Sequence, residues 1–448
     1  MSAEVRIDHA PWFTEARLGM FVHWGLYALP ARHEWVMSFE QTSVADYVKY
    51  FERFDPDLYD PREWARQAKA AGMEYVVLTT KHHEGFCLWD SALTDYKATN
   101  TPAGRDLLVP YVEALREAGL KVGFYHSLID WHHPDFTIDD IHPLRDAPNV
   151  DELNASRDMS TYRDYLHGQV RELLTNYGTI DYLFFDFSYP VGPLAKRYPG
   201  KGRDDWDSAK LLRMIRELQP GVIVNDRLDI PGDFVTPEQY QPTGTMNSGG
   251  KDVPWEACQT LNGSWGYDRD NMDYKSVEML VRMLIDGVSK DGNLLLNVGP
   301  TGRGEIDPRG SASLAGIGEW MRTHERSIRG ARSSTFVPPT DCRYTRRGNR
   351  LYLHLFAWPL GAVHLPGLAG KVSYAQLLND ASEITMETID PEQLASNTRP
   401  GGQPASTLTL KLPVQRPNVT VPVIELFLKD ANLNDMNLTA ENIDEREL

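Results

Sequence analysis

The sequence predicts an α/β fold, a (β/α)8-like (TIM) barrel followed by a C-terminal antiparallel β-sandwich. Up to about residue 332, short apolar runs that end in polar clusters alternate with amphipathic helices. Alternating strand and helix signals are typical of a parallel sheet, and eight such strands close a barrel. Beyond residue 332 the apolar residues follow β-type patterns, with no long helical segment between them. This change from alternating strand and helix signals to β-type signals alone favours a small β-sandwich.

Eight candidate strands account for the barrel. In chain order they cover residues 18–22, 75–79, 121–125, 182–185, 222–224, 234–236, 259–261 and 294–296. The helices between them are indicated by apolar stripes at three- and four-residue spacing, as over residues 277–288, and by glycine C-caps at Gly72 and Gly119. The seventh strand, 259–261, is the weakest signal, and the count of eight depends on it.

Three segments follow from this division. Residues 1–332 are predicted to form the catalytic barrel, residues 333–430 the β-sandwich, and residues 431–448 a poorly ordered acidic tail. The sandwich strands are indicated by runs such as 351–356 and 423–427. The tail is polar and lacks any periodicity, which is typical of segments that cannot bury a core.

Composition excludes several classes of protein. A net charge of -17 makes nucleic acid an unfavourable partner. Three scattered cysteines are too few for a disulfide framework or a zinc site. The N-terminus has no apolar signal segment, and no run approaches 18 apolar residues. We therefore expect a cytoplasmic protein that does not bind membranes, with a removed signal peptide as the open alternative.

The strand over residues 182–185 ends in Asp186. A charge at the end of a fully apolar run is costly unless function requires it, and the carboxyl ends of barrel strands face the active site. Aromatic residues surround this carboxylate in the sequence, as in a pocket that binds a sugar ring. The ordinary alternatives are a helix N-cap or a salt bridge. The pattern favours Asp186 as a catalytic nucleophile.

A second carboxylate follows another strand end, either Glu238 or Glu256. Two carboxylates in a pocket rich in Trp, His and Tyr are what cleavage of a glycosidic bond requires, one to attack the anomeric carbon and one to protonate the leaving oxygen. A metal site is disfavoured, because the adjacent His82 and His83 point to opposite faces of a strand. A metal-dependent hydrolase using these histidines with Asp186, and a non-catalytic sugar-binding protein, are the alternatives.

Several motifs together resemble the α-L-fucosidases of glycoside hydrolase family twenty-nine. They cover residues 19–25 (GMFVHWG), 34–35 (EW), 81–86 (KHHEGF), 124–127 (FYHS), 255–258 (WEAC), 264–267 (SWGY) and 292–300 (GNLLLNVGP). The resemblance spans nearly the whole chain. It implies a barrel followed by a β-sandwich, and retaining hydrolysis of terminal α-L-fucose through a fucosyl-enzyme intermediate, without a metal or other cofactor. Whether transfucosylation competes with hydrolysis is left open.

The resemblance also assigns roles to individual residues. Asp186 matches the nucleophile, and Glu238, which follows Arg227 by eleven residues, is favoured over Glu256 as the acid/base. The positions that match substrate-binding residues are His23, Glu34, Trp35, His82, His83, Tyr125, Arg227 and Trp265.

The implied partner is a fucosylated oligosaccharide or glycoconjugate. Phe187, Ser188 and Tyr189 depart from the family pattern of Gly or Trp after the nucleophile, so we expect a changed aglycone side. Whether the protein forms a homo-oligomer is left open.

Overall fold

The computed structural model describes residues 7–248 and 251–430. These residues divide into two compact units: a barrel unit of residues 7–276 and 293–318, and a sandwich unit of residues 277–292 and 319–430. The predicted boundary between residues 332 and 333 stays a prediction. The predicted tail, residues 431–448, lies outside the described residues.

The barrel unit is built on a parallel sheet of seven strands. Its strands, with a short antiparallel pair β6 and β7, are β1 (Leu18–Val22), β2 (Tyr75–Lys81), β3 (Lys121–Ser127), β4 (Tyr182–Asp186), β5 (Ile223–Val224), β6 (Asn247–Ser248), β7 (Lys251–Asp252), β8 (Glu256–Thr260) and β9 (Asn293–Val298). The order in the sheet is β5-β4-β3-β2-β1-β9-β8. Every residue of β1, β2, β8 and β9 is buried, as expected for strands covered on both faces.

An eighth position in this sheet belongs to the chain around residues 234–238. Phe234 forms a parallel bridge with Asn225, directly after β5, and Val235 and Glu238 form parallel bridges with Trp255 and Cys258 of the β8 edge. The predicted sixth strand therefore lies between β5 and β8, although its ladder is too irregular to count as a strand. The predicted barrel is confirmed, with β8 beginning three residues earlier than the weak signal at 259–261.

Helices follow most strands of the sheet. Their bounds are α1 (Trp12–Ala16), α2 (Val36–Phe39), α3 (Val44–Phe51), α4 (Pro61–Ala70), α5 (Leu108–Glu117), α6 (Val150–Ala155), α7 (Met159–Asn176), α8 (Arg203–Trp206), α9 (Ser208–Leu218), α10 (Val277–Val288) and α11 (Pro308–His324). Short 3-10 turns cover Leu26–Ala28, Ala98–Asn100 and Glu325–Ser327.

Helix α4 illustrates how local sequence sets these bounds. The Asp60 carboxylate accepts hydrogen bonds from the backbone N–H groups of Arg62 and Glu63, Pro61 is the first helical residue, and Gly72 lies beyond the end with φ +84°. Within the described residues no helix is long and apolar enough to cross a membrane.

The sandwich unit contains two antiparallel sheets. Its strands are β10 (Cys342–Arg347), β11 (Arg350–Leu355), β12 (Ala362–Leu365), β13 (Val372–Leu377), β14 (Thr385–Glu387), β15 (Leu408–Lys411) and β16 (Val423–Leu428). They are arranged as β10-β11-β16-β13 and β12-β15-β14. A cluster of buried side chains that includes Leu353, Leu410 and Leu426 draws on both sheets. This arrangement confirms the predicted β-sandwich.

Close packing inside the barrel begins at the amino ends of the strands. A Cβ atom added to Gly19 of β1 would lie 2.2 Å from the Tyr75 ring, so only glycine fits beneath this ring. Tyr75 in turn stacks on Tyr182, with 5.9 Å between the ring centroids. These aromatic side chains fill the barrel interior at the end opposite Asp186.

Candidate active site

The carboxyl ends of the barrel strands bring the predicted residues to one cavity. The cavity has a volume of about 50 Å³. The lining residues are Phe21, His23, Trp35, His82, His83, Tyr125, Phe184, Asp186, Phe187, Arg227, Glu238, Cys258 and Trp265. All the predicted site residues except Glu34 and Glu256 line this cavity, which we call the inner chamber.

Asp186, the last residue of β4, is held by side chains from strand β3 and from the loops after β2 and β5. Its Oδ2 accepts a hydrogen bond from the Tyr125 hydroxyl at 2.9 Å and lies 3.9 Å from Nε2 of His83. Its Oδ1 accepts a hydrogen bond from Nη1 of Arg227 at 2.6 Å. Burial, and then the charge of Asp186, raise the pKa of Tyr125, so this phenol remains a donor to the carboxylate. The contacts fix Asp186 with its side chain only 13% exposed.

One guanidinium joins the two candidate catalytic carboxylates. While Nη1 of Arg227 binds Asp186, Nη2 lies 2.7 Å from Oε2 of Glu238, and Nε donates to Oγ1 of Thr236 at 3.0 Å. The Arg227 guanidinium also lies over the ring of Phe184, 5.2 Å from its centroid. Burial lowers the pKa of Arg227, but the charges of Asp186 and Glu238 outweigh it and raise that pKa well above its usual value. Arg227 therefore stays charged and holds both carboxylates.

Neutral imidazoles form one wall of the inner chamber. Burial, and then the neighbouring His82, lower the pKa of both His23 and His83 well below the usual value. Nδ1 of His83 is 2.7 Å from Oγ of Ser127, and Nδ1 of His23 is 2.7 Å from Oδ1 of Asn297. An imidazole fixed through one nitrogen presents the other to the cavity, where it can exchange hydrogen bonds with sugar hydroxyls.

Asn297 is a contributor that the sequence analysis did not assign to the site. Besides contacting His23, it donates from Nδ2 to the backbone carbonyl of Trp265 at 2.6 Å. It therefore positions two lining residues at once. The available signal was its place in the motif at residues 292–300, at the end of β9.

Glu34 does not line the inner chamber. Its Oε2 accepts hydrogen bonds from the backbone N–H groups of Trp265, at 3.1 Å, and Gly266, at 2.9 Å. The Glu34 carboxylate thereby fixes the loop that presents the Trp265 indole to the cavity. Direct contact of Glu34 with a substrate stays a prediction.

Glu256 lies at the other end of the barrel. Its carboxylate accepts hydrogen bonds from the hydroxyls of Tyr75 and Tyr182, the second at 2.6 Å, and it is completely buried. Tyr182 begins the strand that Asp186 ends, so their Cα atoms are roughly 13 Å apart at about 3.3 Å per residue. Burial raises the pKa of Glu256 to about 7. This carboxyl group is part of the barrel interior and does not line the inner chamber.

A second, wider cavity adjoins the first. Its volume is about 470 Å³, and it is lined by Asp186, Phe187, Ser188, Tyr189, Leu194, Asp226, Arg227, Asp229, Thr236 and Glu238. Four of these residues, Asp186, Phe187, Arg227 and Glu238, also line the inner chamber. Phe187 has a left-handed backbone, φ +81°, and its ring packs 5.1 Å from that of Trp35. We call the second cavity the outer chamber, and the two meet at the paired carboxylates.

The remaining reactive groups do not form a separate centre. Among the residues that the structure describes, no group of three or more His, Cys, Asp or Glu side chains is arranged to hold a metal ion. Cys258 lies in the wall with Sγ 3.9 Å from Arg227, and burial raises the pKa of this thiol well above its usual value. A thiol in this state is a poor nucleophile at neutral pH.

Comparison with known proteins places the chain among enzymes of one family. The family model for alpha-L-fucosidase matches residues 3–326. Alpha-L-fucosidase isoenzyme 1 from Paenibacillus thiaminolyticus is 48% identical, with 94% of this chain and 99% of that chain covered and a TM-score of 0.87. An alpha-L-fucosidase from Bacteroides thetaiotaomicron, solved as a trapped covalent intermediate with 2-fluoro-fucosyl fluoride, is 28% identical, with coverage of 95% and 98% and a TM-score of 0.79.

A curated relative gives the same result. The tissue alpha-L-fucosidase of Rattus norvegicus is 28% identical over 414 residues, which cover 85% of this chain and 82% of the relative. The resemblance noted in the sequence is thereby confirmed: the chain belongs to the α-L-fucosidase family of glycoside hydrolases.

Proposed function

We propose that this protein removes terminal α-L-fucose from fucosylated oligosaccharides or glycoconjugates, with Asp186 as the nucleophile and Glu238 as the acid/base. The observation that carries this proposal is the double contact of Arg227, which holds both carboxylates where the two chambers meet. In this proposal the fucose ring occupies the inner chamber and the aglycone the outer one, which puts the glycosidic bond between Asp186 and Glu238.

The first step forms a fucosyl-enzyme ester. A carboxylate oxygen of Asp186 attacks the anomeric carbon and the bond from this carbon to the glycosidic oxygen breaks. Glu238, which takes up a proton from solvent before this step, gives that proton to the departing oxygen. Tyr125 and Arg227 hold the nucleophile in place through their hydrogen bonds. Retaining enzymes require carboxyl groups only about 5–5.5 Å apart, and two carboxylates bound to one guanidinium favour this short spacing.

The second step releases the sugar. Glu238, now a carboxylate, accepts a proton from a water molecule that attacks the anomeric carbon from the outer chamber. The ester bond to Asp186 breaks, and two inversions give net retention. The side chain of Glu238 is 41% exposed, which allows water to reach it. A sugar bound in the outer chamber can replace water, and transfucosylation then competes with hydrolysis.

Recognition of fucose depends on the two faces of the inner chamber. His82 and the neutral imidazoles of His23 and His83 are placed to bind ring hydroxyls. Trp265, whose ring lies 5.1 Å from that of His23 and 6.0 Å from that of Phe21, gives an apolar surface suited to the C6 methyl group. One polar wall and one aromatic wall match a deoxy sugar, which has both kinds of surface.

The test is release of 4-nitrophenol from its α-L-fucoside, compared with the α-L-rhamnoside and the β-D-galactoside, each with and without a strong chelator. We expect selective cleavage of the fucoside that the chelator does not affect. Loss of activity with the chelator would favour a metal-dependent hydrolase. Absence of cleavage here and on a panel of fucosylated oligosaccharides would favour a protein that binds fucose without cleaving it.

A further inference from the structure

Glu84 is a buried carboxylate for which the proposed mechanism has no use. It lies in the loop directly after β2, next to His82 and His83, and is 1% exposed. Within residues 7–248 and 251–430, neither of its oxygens has a hydrogen-bond partner. An unpartnered buried carboxylate is costly and needs a physical reason in a native structure.

Within the described chain, His82 is the one basic side chain with a nitrogen within 4 Å of the Glu84 carboxylate. Oε2 of Glu84 lies 3.5 Å from Nδ1 of that histidine. The nearby Lys81, which could have neutralised the carboxylate, is instead paired with Asp130 at 3.2 Å. The Glu84 charge also shifts the pKa of nearby tyrosine hydroxyls. Burial, and then this charge, raise the pKa of Tyr27 and Tyr47.

The opposite side of the His82 ring faces the inner chamber. The ring lines the cavity and stacks on Tyr125, the donor to Asp186, with 5.7 Å between centroids and 17° between planes. Of its two nitrogens, Nδ1 is the one enclosed by protein without a hydrogen-bond partner among the described residues. Nε2 is therefore the nitrogen available to a bound sugar.

We propose that Glu84 is a positioning residue that keeps the proton of His82 on Nδ1, so that Nε2 accepts a hydrogen bond from a hydroxyl of the fucose ring. A carboxylate is negatively charged and can only accept, so its position 3.5 Å from Nδ1 favours a proton on Nδ1 and leaves Nε2 as the acceptor. The same arrangement of carboxylate and histidine orients metal-binding imidazoles, where loss of the outer partner costs about 10–100-fold in affinity or activity.

Glu84→Gln tests this inference, which rests on the proposed function. The amide has the same shape but can donate to Nδ1 as well as accept from it, so the proton of His82 is no longer fixed. We expect the Kd for L-fucose to rise by about tenfold, and KM to rise by more than kcat falls, because a ground-state contact is weakened. Glu425→Gln is the matched control, since Glu425 is another buried carboxylate (3% side-chain exposure) and lies in the sandwich unit. It should leave the Kd unchanged.

NMR of protein with labelled histidine shows which nitrogen of His82 carries the proton. A purely structural role of Glu84 would not change this result. The His82 signals are assigned by their loss in His82→Gln. In the wild type we expect a protonated Nδ1 and an unprotonated Nε2, and in Glu84→Gln a mixture of the two forms. A wild-type proton on Nε2, or an unchanged Kd and spectrum in Glu84→Gln, would overturn the inference. If Glu84→Gln does not fold, the wild-type spectrum decides. Failure of the proposed function is distinct, because wild type would then not cleave fucosides.

Discussion

Replacing Glu238 by Gln separates the two candidate acids most sharply. Glu238 lies where the chambers meet, whereas Glu256 is enclosed by Tyr75 and Tyr182 at the other end of the barrel. Glu238→Gln removes proton transfer and the ion pair with Arg227, but Asp186 keeps its contacts with Arg227 (2.6 Å) and Tyr125 (2.9 Å), so we expect the nucleophile to stay in place. General acid catalysis contributes about 10²–10⁴-fold, equivalent to roughly 3–5 kcal/mol of barrier.

The size of this loss depends on the leaving group. A sugar alkoxide needs the proton, so kcat/KM for a fucosylated disaccharide should fall about 10³-fold in Glu238→Gln. A nitrophenolate leaves without help, so kcat/KM for 4-nitrophenyl α-L-fucoside should fall far less. The assay is steady-state kinetics on both substrates, with the ratio of the two kcat/KM values as the result.

Glu256→Gln is the matched comparison. The amide oxygen can still accept a hydrogen bond from a tyrosine hydroxyl, and the outer chamber is unchanged, so the ratio of the two kcat/KM values should equal that of the wild type. Thermal unfolding of each variant verifies that it is folded. A selective loss of the disaccharide substrate in Glu256→Gln, with a wild-type ratio in Glu238→Gln, would refute the assignment.

Three further predictions follow from the same geometry. Asp186→Gly should lose nearly all turnover of 4-nitrophenyl fucoside and regain part of it with azide; an active variant without azide would contradict the nucleophile assignment. Tyr125→Phe removes one hydrogen bond to a charged carboxylate, worth about 1.5–3 kcal/mol, so kcat/KM should fall about 10–100-fold, and wild-type kinetics would show that the bond is dispensable. Burial holds the pKa of Glu256 at about 7, above the usual 4.5, so the folded state keeps a proton that the unfolded chain releases between these pH values. Chemical denaturation should show the free energy of unfolding falling by up to about 3 kcal/mol as pH rises through this window, and the fall should be absent in Glu256→Gln; equal slopes in both proteins would contradict it.

The sequence predicted most of the barrel because its strands are buried on both faces. Strand β4 is a continuous apolar run that ends in a carboxylate, whereas a surface helix carries its apolar residues on one stripe only. Strand β8 was a weak signal because three of its five residues, Glu256, Gln259 and Thr260, are polar. The Glu256 carboxylate is tolerated there since hydroxyls from β2 and β4 bind it, and such partners, more than 70 residues away in sequence, cannot be read from the local pattern.

The sequence also pointed to most of the residues that line the inner chamber. The rule that barrel strands point their carboxyl ends at the active site located Asp186, and the family resemblance supplied the residues around it. Neither indicated that Asn297 would join His23 to Trp265, because this contact links residues 274 apart in sequence. Glu34 was expected in the cavity, yet its carboxylate binds backbone N–H groups of a loop whose path only the folded chain defines.

Cytoplasmic location and independence from nucleic acids and membranes stay predictions, and the oligomeric state stays open. The net charge of -17 supports the prediction that the protein does not bind nucleic acids, since it repels phosphate backbones. Size-exclusion chromatography with light scattering would give the oligomeric state directly.

The central claim is that fucose is transferred first to Asp186. The most direct measurement is to incubate the wild type and Glu238→Gln with 2-deoxy-2-fluoro-fucosyl fluoride, digest each protein, and map the labelled peptide by mass spectrometry. We expect one fluorofucosyl group, attached to Asp186, and no label in Asp186→Gly. A label on any other carboxylate, or an equal label in Asp186→Gly, would contradict the claim.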